Sequence, residues 1–132
     1  MSVFVDTSAF LAIIDRNDQN HQIAKQLWIQ LLHNKAALLC TNYVLLETLA
    51  LIQHRFGLPV AKTFQEDIVP IIHIHWVDEA LHQAGIAAVL TANRRRLSLV
   101  DCISFETARR LGVNTIFAFD QHFVEQGFTC LS

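Results

Sequence analysis

Four carboxylates, Asp6, Glu47, Asp101 and Asp120, occupy settings that suit a metal centre better than a solvated surface. Asp6 directly follows the apolar run Val3-Phe4-Val5, and Asp120 repeats that setting behind Thr115 to Phe119. Asp101 closes Ser98-Leu99-Val100-Asp101, a serine with an acid three residues on. These three each have a second reading as helix caps, because Asp is a good N-cap and Ser-x-x-Asp is close to a capping box. Glu47 has no such alternative. Its segment, Val44-Leu45-Leu46-Glu47-Thr48-Leu49-Ala50-Leu51, looks apolar nearly all round and hence buried. Its neighbours three and four residues away are Tyr43, Val44, Ala50 and Leu51, with no cation among them. A carboxylate there is costly to desolvate unless protonated, paired or bound to a metal.

Brought into one cleft, four such groups repel one another and take up protons unless a cation compensates them. An all-oxygen donor set selects Mg²⁺ or Mn²⁺ over zinc. The chemistry that follows is hydrolysis of a phosphodiester, in which the cation acidifies a water, lines it up with phosphorus and stabilises the leaving 3′ oxygen. Ser8, two residues past Asp6, is placed to hold that water or a group bound to the metal. Formal charge is −2 and the pI about 6.4, an average that does not signal nucleic-acid binding. Setting the four acids aside leaves eight acids against ten bases. Five arginines (Arg94, Arg95, Arg96, Arg109 and Arg110) fall within 17 residues around Asp101. A basic rim about an acidic centre suits a phosphodiester substrate, although each arginine singly also reads as an ordinary solvated side chain.

The elements that must position these groups alternate. Val3 to Val5 reads as a strand, with Asp6-Thr7-Ser8 supplying cap residues for a helix through Ile14. Asn17 to Asn20 breaks the chain before an amphipathic helix carrying Ile23, Ala24, Leu27, Trp28, Leu31 and Leu32. Trp28 reads as core, with a dimer interface as its other use. Ala36 to Cys40 is a second strand, and Thr41-Asn42 caps a helix that carries Glu47 and ends at Gly57. Helix is expected over Val60 to Ile68, strand over Ile71 to Val77, and helix over Asp78 to Thr91 with Gly85 as a weak point. A helix over Ser98 to Leu111, a strand over Thr115 to Phe119 and an edge strand over Phe128 to Leu131 complete the pattern. Apolar strands alternating with helices imply an α/β fold whose parallel sheet is covered on both faces, with the ligand site beyond the carboxyl ends of the strands.

With 132 residues, 52% of them apolar, the chain is expected to form a single domain over 1–132. No run approaches the roughly 18 apolar residues that would span a bilayer. The N-terminus has no basic segment ahead of a long apolar stretch, so a cytoplasmic protein away from membranes is expected. Cys40, Cys102 and Cys130 form no CxxC pair and read as reduced, buried small hydrophobes. His73 and His75 share one side of a strand but lack a third ligand, and read as structural. His122 lies nearer the acids, as a contact to phosphate.

Asp6-Thr7-Ser8 after an N-terminal strand, Glu47 in a helix, Leu97-Ser98-Leu99-Val100-Asp101 and Phe119-Asp120-Gln121-His122-Phe123 together resemble the PIN-domain family. The likeness spans nearly the whole chain and is greatest to the single-domain VapC-type toxins of toxin–antitoxin pairs. It implies a three-layer α/β/α sandwich on a central, mostly parallel sheet, Mg²⁺- or Mn²⁺-dependent cleavage of RNA, a homodimer, and an antitoxin that inserts a segment into the cleft. The family's acids carry over onto Asp6, Glu47, Asp101 and Asp120, and its small hydroxyl residue onto Ser8. One departure is Ala92-Asn93-Arg94-Arg95-Arg96, where relatives often carry an acid.

Two other readings draw on the same residues. Phosphoryl-transfer domains of the haloacid-dehalogenase or receiver kind also place an aspartate at a strand end. The former needs a second Asp where Ser8 stands, and both need a late lysine, whereas the last lysine here is Lys62. The rival from a different class is a PIN-like protein that binds RNA or an antitoxin without cutting.

Overall fold

The computed structural model describes residues 1–131. Five strands form one sheet in the order β3-β2-β1-β4-β5. These are β1 (Ser2–Val5), β2 (Ala37–Thr41), β3 (His73–His75), β4 (Thr115–Phe117) and β5 (Thr129–Leu131). Every neighbouring pair is parallel, with Val3 opposite both Leu38 and Thr115, Leu39 opposite His73, and Ile116 opposite Cys130. Parallel neighbours need crossovers, and the chain supplies them as helices. Helices α1 (Thr7–Ile14) and α2 (His21–His33) join β1 to β2. Next, α3 (Asn42–Phe56) and α4 (Leu58–Thr63) lead towards β3, while α5 (Glu79–Ala92) and α6 (Leu99–Arg110) join β3 to β4. Short α7 (Gln121–Glu125) precedes β5. Helices thus cover the sheet in a three-layer α/β/α arrangement, and Val3, Phe4, Val5, Ile116 and Phe117 are all fully buried. The sheet is wholly parallel, where a mostly parallel one was expected.

Departures from the sequence reading have local causes. Pro59 sits in the first turn of α4, where its missing N–H costs nothing, so the helix starts earlier than Val60. It ends at Thr63, passes into a wider π turn over Phe64–Ile68, and tightens to a 3₁₀ turn over Val69–Ile71 that contains Pro70. That turn delays β3 to His73 and leaves it three residues long. Strand β4 stops at Phe117 instead of Phe119, because the Phe119 N–H donates to Ser8 Oγ (3.0 Å) and not to a neighbouring strand. On α2, Ala24 and Leu31 are buried, and Leu27 and Trp28 pack against the core, but Ile23 and Leu32 remain exposed. This helix packs mainly on α1, which covers only a narrow stripe of it. Cys40 and Cys102 are buried, Cys130 is half-buried, and all three thiols are free.

Gly85 proves to be a contact rather than a weakness. A Cβ there would lie 2.3 Å from Ile103 Cδ1 and 2.8 Å from its Cγ1, where α5 crosses α6. Ile103 is fully buried and has little room to yield. Gly85→Ala gains about 1 kcal/mol of helix propensity and loses about 1–3 kcal/mol to overpacking. A lower melting temperature is therefore expected; a rise would show that α5 and α6 part more easily than this packing allows.

Candidate metal centre

From β1 the chain runs outward through β2 to β3, then returns to place β4 on the other side of β1 and β5 beyond it. The direction reverses between β1 and β4, and in open parallel sheets the crevice beyond that point is where ligands bind. Asp6 stands immediately after β1 and Asp120 three residues after β4. The Asp6 N–H donates to Phe117 O at 3.0 Å, which joins the two strand ends directly. Helix α3 packs on both α1 and α6. These contacts carry Glu47, in the second turn of α3, and Asp101, in the first turn of α6, towards the same edge.

Three of the acids are indeed caps. Asp6 Oδ2 accepts from the Ser8 N–H (3.1 Å) and from Ser8 Oγ–H (2.6 Å) at the start of α1. Asp101 and Ser98 form a reciprocal box, the Ser98 N–H donating to Asp101 Oδ2 (3.2 Å) and the Asp101 N–H to Ser98 Oγ (3.0 Å). Asp120 Oδ1 accepts from the His122 N–H at 2.9 Å and caps α7. Each cap uses one carboxylate oxygen. The other, Oδ1 of Asp6 and Asp101 and Oδ2 of Asp120, has no hydrogen bond among the described residues. Capping and metal binding are therefore compatible uses of one side chain.

Charge links all four groups. Burial lifts Asp6 from the usual 3.8 to about 7, against the pull of its two bonds from Ser8 and with a further push from Asp101 and Asp120. Glu47 is raised first by burial, opposed by the Thr7 hydroxyl, and raised again by Asp101 and Asp120. Burial also raises Asp101, and the charge on Asp120 adds to it, while the bonds from Ser98 and the nearby His122 ring oppose it. Among the described residues, no lysine or arginine forms an ion pair with any of the four. Beyond the His122 ring the cluster has no cationic partner among the described residues, and a divalent cation among free carboxylate oxygens supplies the missing charge.

The closest grouping differs from the one expected. One oxygen each from Asp101 and Asp120 and a ring nitrogen of His122 lie within 4.8 Å of one another. Asp6 and Glu47 fall outside that set and feel the charges of Asp101 and Asp120. From the sequence, His122 reads only as a contact to phosphate. The available signal was its place two residues past a strand-end acid, in the first turn of α7. Nor is Glu47 on a helix buried all round. Val44, Thr48 and Ile52 form the buried stripe of α3, while Leu46 is 70% exposed, so Glu47 stands half-buried at a boundary.

Ser8 has a structural task on both sides. Its hydroxyl donates to Asp6 and accepts from the Phe119 N–H, tying the start of α1 to the turn before Asp120. All five arginines are exposed. Arg94 pairs with Glu125 (2.9 Å) and Arg110 with Glu106 (3.5 Å), and Arg109 lies over the Phe128 ring. Arg95 and Arg96 form no ion pair among the described residues. A groove of about 310 Å³ runs past Asp120, between Gln19, Asn20, Phe119 and Gln121. Larger cavities lie away from the acids, one of about 460 Å³ between α5 and α6. An extended polyanion is held along a surface and needs no deep pocket.

With this geometry in place, the family model for the PIN domain matches residues 3–128. The chain belongs to the PIN-domain family. This PIN domain is 29% identical over 127 residues to the 23S rRNA-specific endonuclease VapC20 of Mycobacterium tuberculosis, covering 96% of this chain and 95% of the relative. The crystal structure of VapC20, described as a Sarcin-Ricin loop cleaving toxin, superposes with a TM-score of 0.84 over 96% of each chain. FitAcB from Neisseria gonorrhoeae shares the fold at 13% identity, with a TM-score of 0.72 over 100% of this chain and 97% of that one.

Proposed function

We propose that this PIN domain is an Mg²⁺- or Mn²⁺-dependent endoribonuclease and the toxin of a type II toxin–antitoxin pair. The observation that carries the reading is the charge-coupled set of carboxylates with unpaired oxygens at the β1/β4 crevice, with Asp101, Asp120 and His122 at its centre. Similarity to VapC20 over nearly the full length of both chains supports RNA as the substrate. Asp101 and Asp120 hold the cation, and Asp6 and Glu47 complete its field. Ser8 keeps Asp6 aimed at the crevice. When bound, a divalent cation supplies Lewis acidity for the attacking water and for the leaving 3′ oxygen. Glu47, at the edge of the site and short of a counter-charge, is placed to take the proton that the water gives up. Arg95 and Arg96 draw the phosphate backbone towards the acids.

A cognate antitoxin and a second copy of the chain are the proposed protein partners, and the cytoplasm, where RNA is available, is the proposed location. Exposed Leu46 and Trp76, on one apolar stretch with Tyr43 and Leu49, support a protein-binding face that includes part of α3, the helix that carries Glu47. The test is cleavage of a labelled RNA hairpin that carries the 23S sarcin–ricin loop. Cutting is expected with Mg²⁺ or Mn²⁺ and should stop when EDTA is added. Equal cutting in EDTA would remove the metal-dependent mechanism, and binding with no cutting at any metal concentration would make this a non-catalytic PIN protein.

A further inference from the structure

We infer that His122 is a nitrogen ligand to the same cation as Asp101 and Asp120, so that the site has a mixed oxygen–nitrogen shell and prefers Mn²⁺ to Mg²⁺. This rests on the metal-dependent reading above and extends it to a residue outside the four acids. Two donors on one ion, each about 2.1 Å from it, lie about 3–4 Å apart. His122 Nε2 is 3.9 Å from Asp120 Oδ1, and a ring nitrogen and one oxygen from each aspartate share a 4.8 Å envelope. That is too long for hydrogen bonds and suits three ligands about one centre.

The far side of the ring carries the stronger argument. A metal-bound histidine usually directs its other nitrogen at a carboxylate, which fixes the tautomer and the ring plane. His122 Nδ1 is buried without a hydrogen-bond partner among the described residues, and Glu125 Oε2 lies 3.6 Å from it. That same Glu125 oxygen accepts from Arg94 at 2.9 Å. Arg94 holds Glu125, Glu125 faces Nδ1, and Nε2 is turned towards the aspartates. The main chain fixes the other end, since the His122 N–H is bonded to Asp120 Oδ1. Arg94 and Glu125 are thus positioning residues, and part of the arginine run has a use apart from contact with RNA. A histidine serving only as a phosphate contact would present its ring to solvent, whereas this side chain is only 17% exposed. Mg²⁺ keeps oxygen and water ligands and gains little from imidazole. Mn²⁺, although the weakest nitrogen binder of the first transition row, still accepts one more readily, so the nitrogen tilts the site towards Mn²⁺ over Mg²⁺.

The experiment is pulsed EPR on the full chain loaded with MnCl₂, with Mn²⁺ and Mg²⁺ titrated by calorimetry. The wild-type spectrum is expected to show ¹⁴N coupling from imidazole. His122→Gln should lose that coupling and bind Mn²⁺ about tenfold more weakly, with a smaller change for Mg²⁺. Glu125→Gln should keep the coupling while weakening Mn²⁺ by about tenfold, as loss of an outer carboxylate does. A wild-type complex without nitrogen coupling, whose Mn²⁺ binding is nevertheless lost in Asp101→Asn, would overturn the role of His122 and leave the metal site standing. Mn²⁺ binding that survives Asp101→Asn unchanged would overturn the metal site itself, and this inference with it.

Discussion

Asp101→Asn is expected to lower RNA cleavage by about 10³-fold while hardly changing the melting temperature. The two effects separate because the two oxygens of Asp101 have separate duties. Oδ2 receives the Ser98 N–H and completes the box that starts α6. An asparagine carbonyl accepts that bond equally well, so the helix keeps its cap. What the amide removes is the negative charge that the proposed centre needs, and losing one electrostatic element of an active site commonly costs 10²–10³ in rate. Residues acting as one unit are not additive, so adding Asp120→Asn should cost little more. Initial rates on labelled RNA, beside RNA affinity measured by anisotropy, check this. Activity in Asp101→Asn within tenfold of wild type would rule out a centre built on this carboxylate.

Asp6→Asn carries the second large expectation, with opposite signs for activity and for stability. Its carboxyl is pushed up to about 7, chiefly by burial and then by Asp101 and Asp120. The folded state therefore holds this proton more tightly than the unfolded chain does. That contribution to stability is full below about pH 4 and is lost as pH rises through about 7. Three pH units correspond to a cost on the order of 4 kcal/mol for the metal-free protein at pH 8. Asparagine avoids the charge and still accepts both bonds from Ser8, but leaves a buried amide N–H that costs about 1–3 kcal/mol. A net gain of about 2 kcal/mol, or roughly 5 °C in melting temperature, is expected in EDTA at pH 8. At pH 4, where the wild-type carboxyl is protonated, only the amide cost remains and the variant should be the less stable by about 1–3 kcal/mol. Saturating Mn²⁺ should reverse the order, because the cation stabilises only a site that can bind it. Cleavage by the variant should be lost throughout. A wild-type melting temperature that does not fall between pH 4 and pH 8 relative to Asp6→Asn would contradict the buried, uncompensated carboxyl described here.

Much of this was legible from residue order because parallel strands are apolar on both faces. Val3-Phe4-Val5 and Thr115-Ile116-Phe117 each name a strand, and the acid that follows names its carboxyl end. Cap signals were equally clear: Thr41 and Ser98 both accept bonds from the first turn of their helices. For Glu47, the premise of a helix buried all round holds only by half. A leucine-rich helix shows which residues favour burial but not whether another element covers each face, and the outer face of α3 is uncovered at Leu46. Gly85 was legible as a defect in a helix and illegible as a contact, because Ile103 arrives from the next helix. The place of His122 beside Asp101 depends on how α6 docks against α3 and β2 and on the angle of one ring. No periodicity encodes either.

The bond between Phe119 and Ser8 joins positions 111 residues apart. Closing so long a loop is entropically costly, and its contacts yield nothing until both ends are present. Ribosomes deliver the N-terminal end first. By the time Asp6, Glu47 and Asp101 have been made, the strand that seats Asp120 is still untranslated. A nascent chain, or one clipped before β4, holds three of the acids but lacks Asp120 and His122, two of the three groups gathered at the centre. In the proposed nuclease, the capacity to cut RNA thus arrives only with β4 and the residues that follow it, and fragments that stop before Thr115 should be inactive.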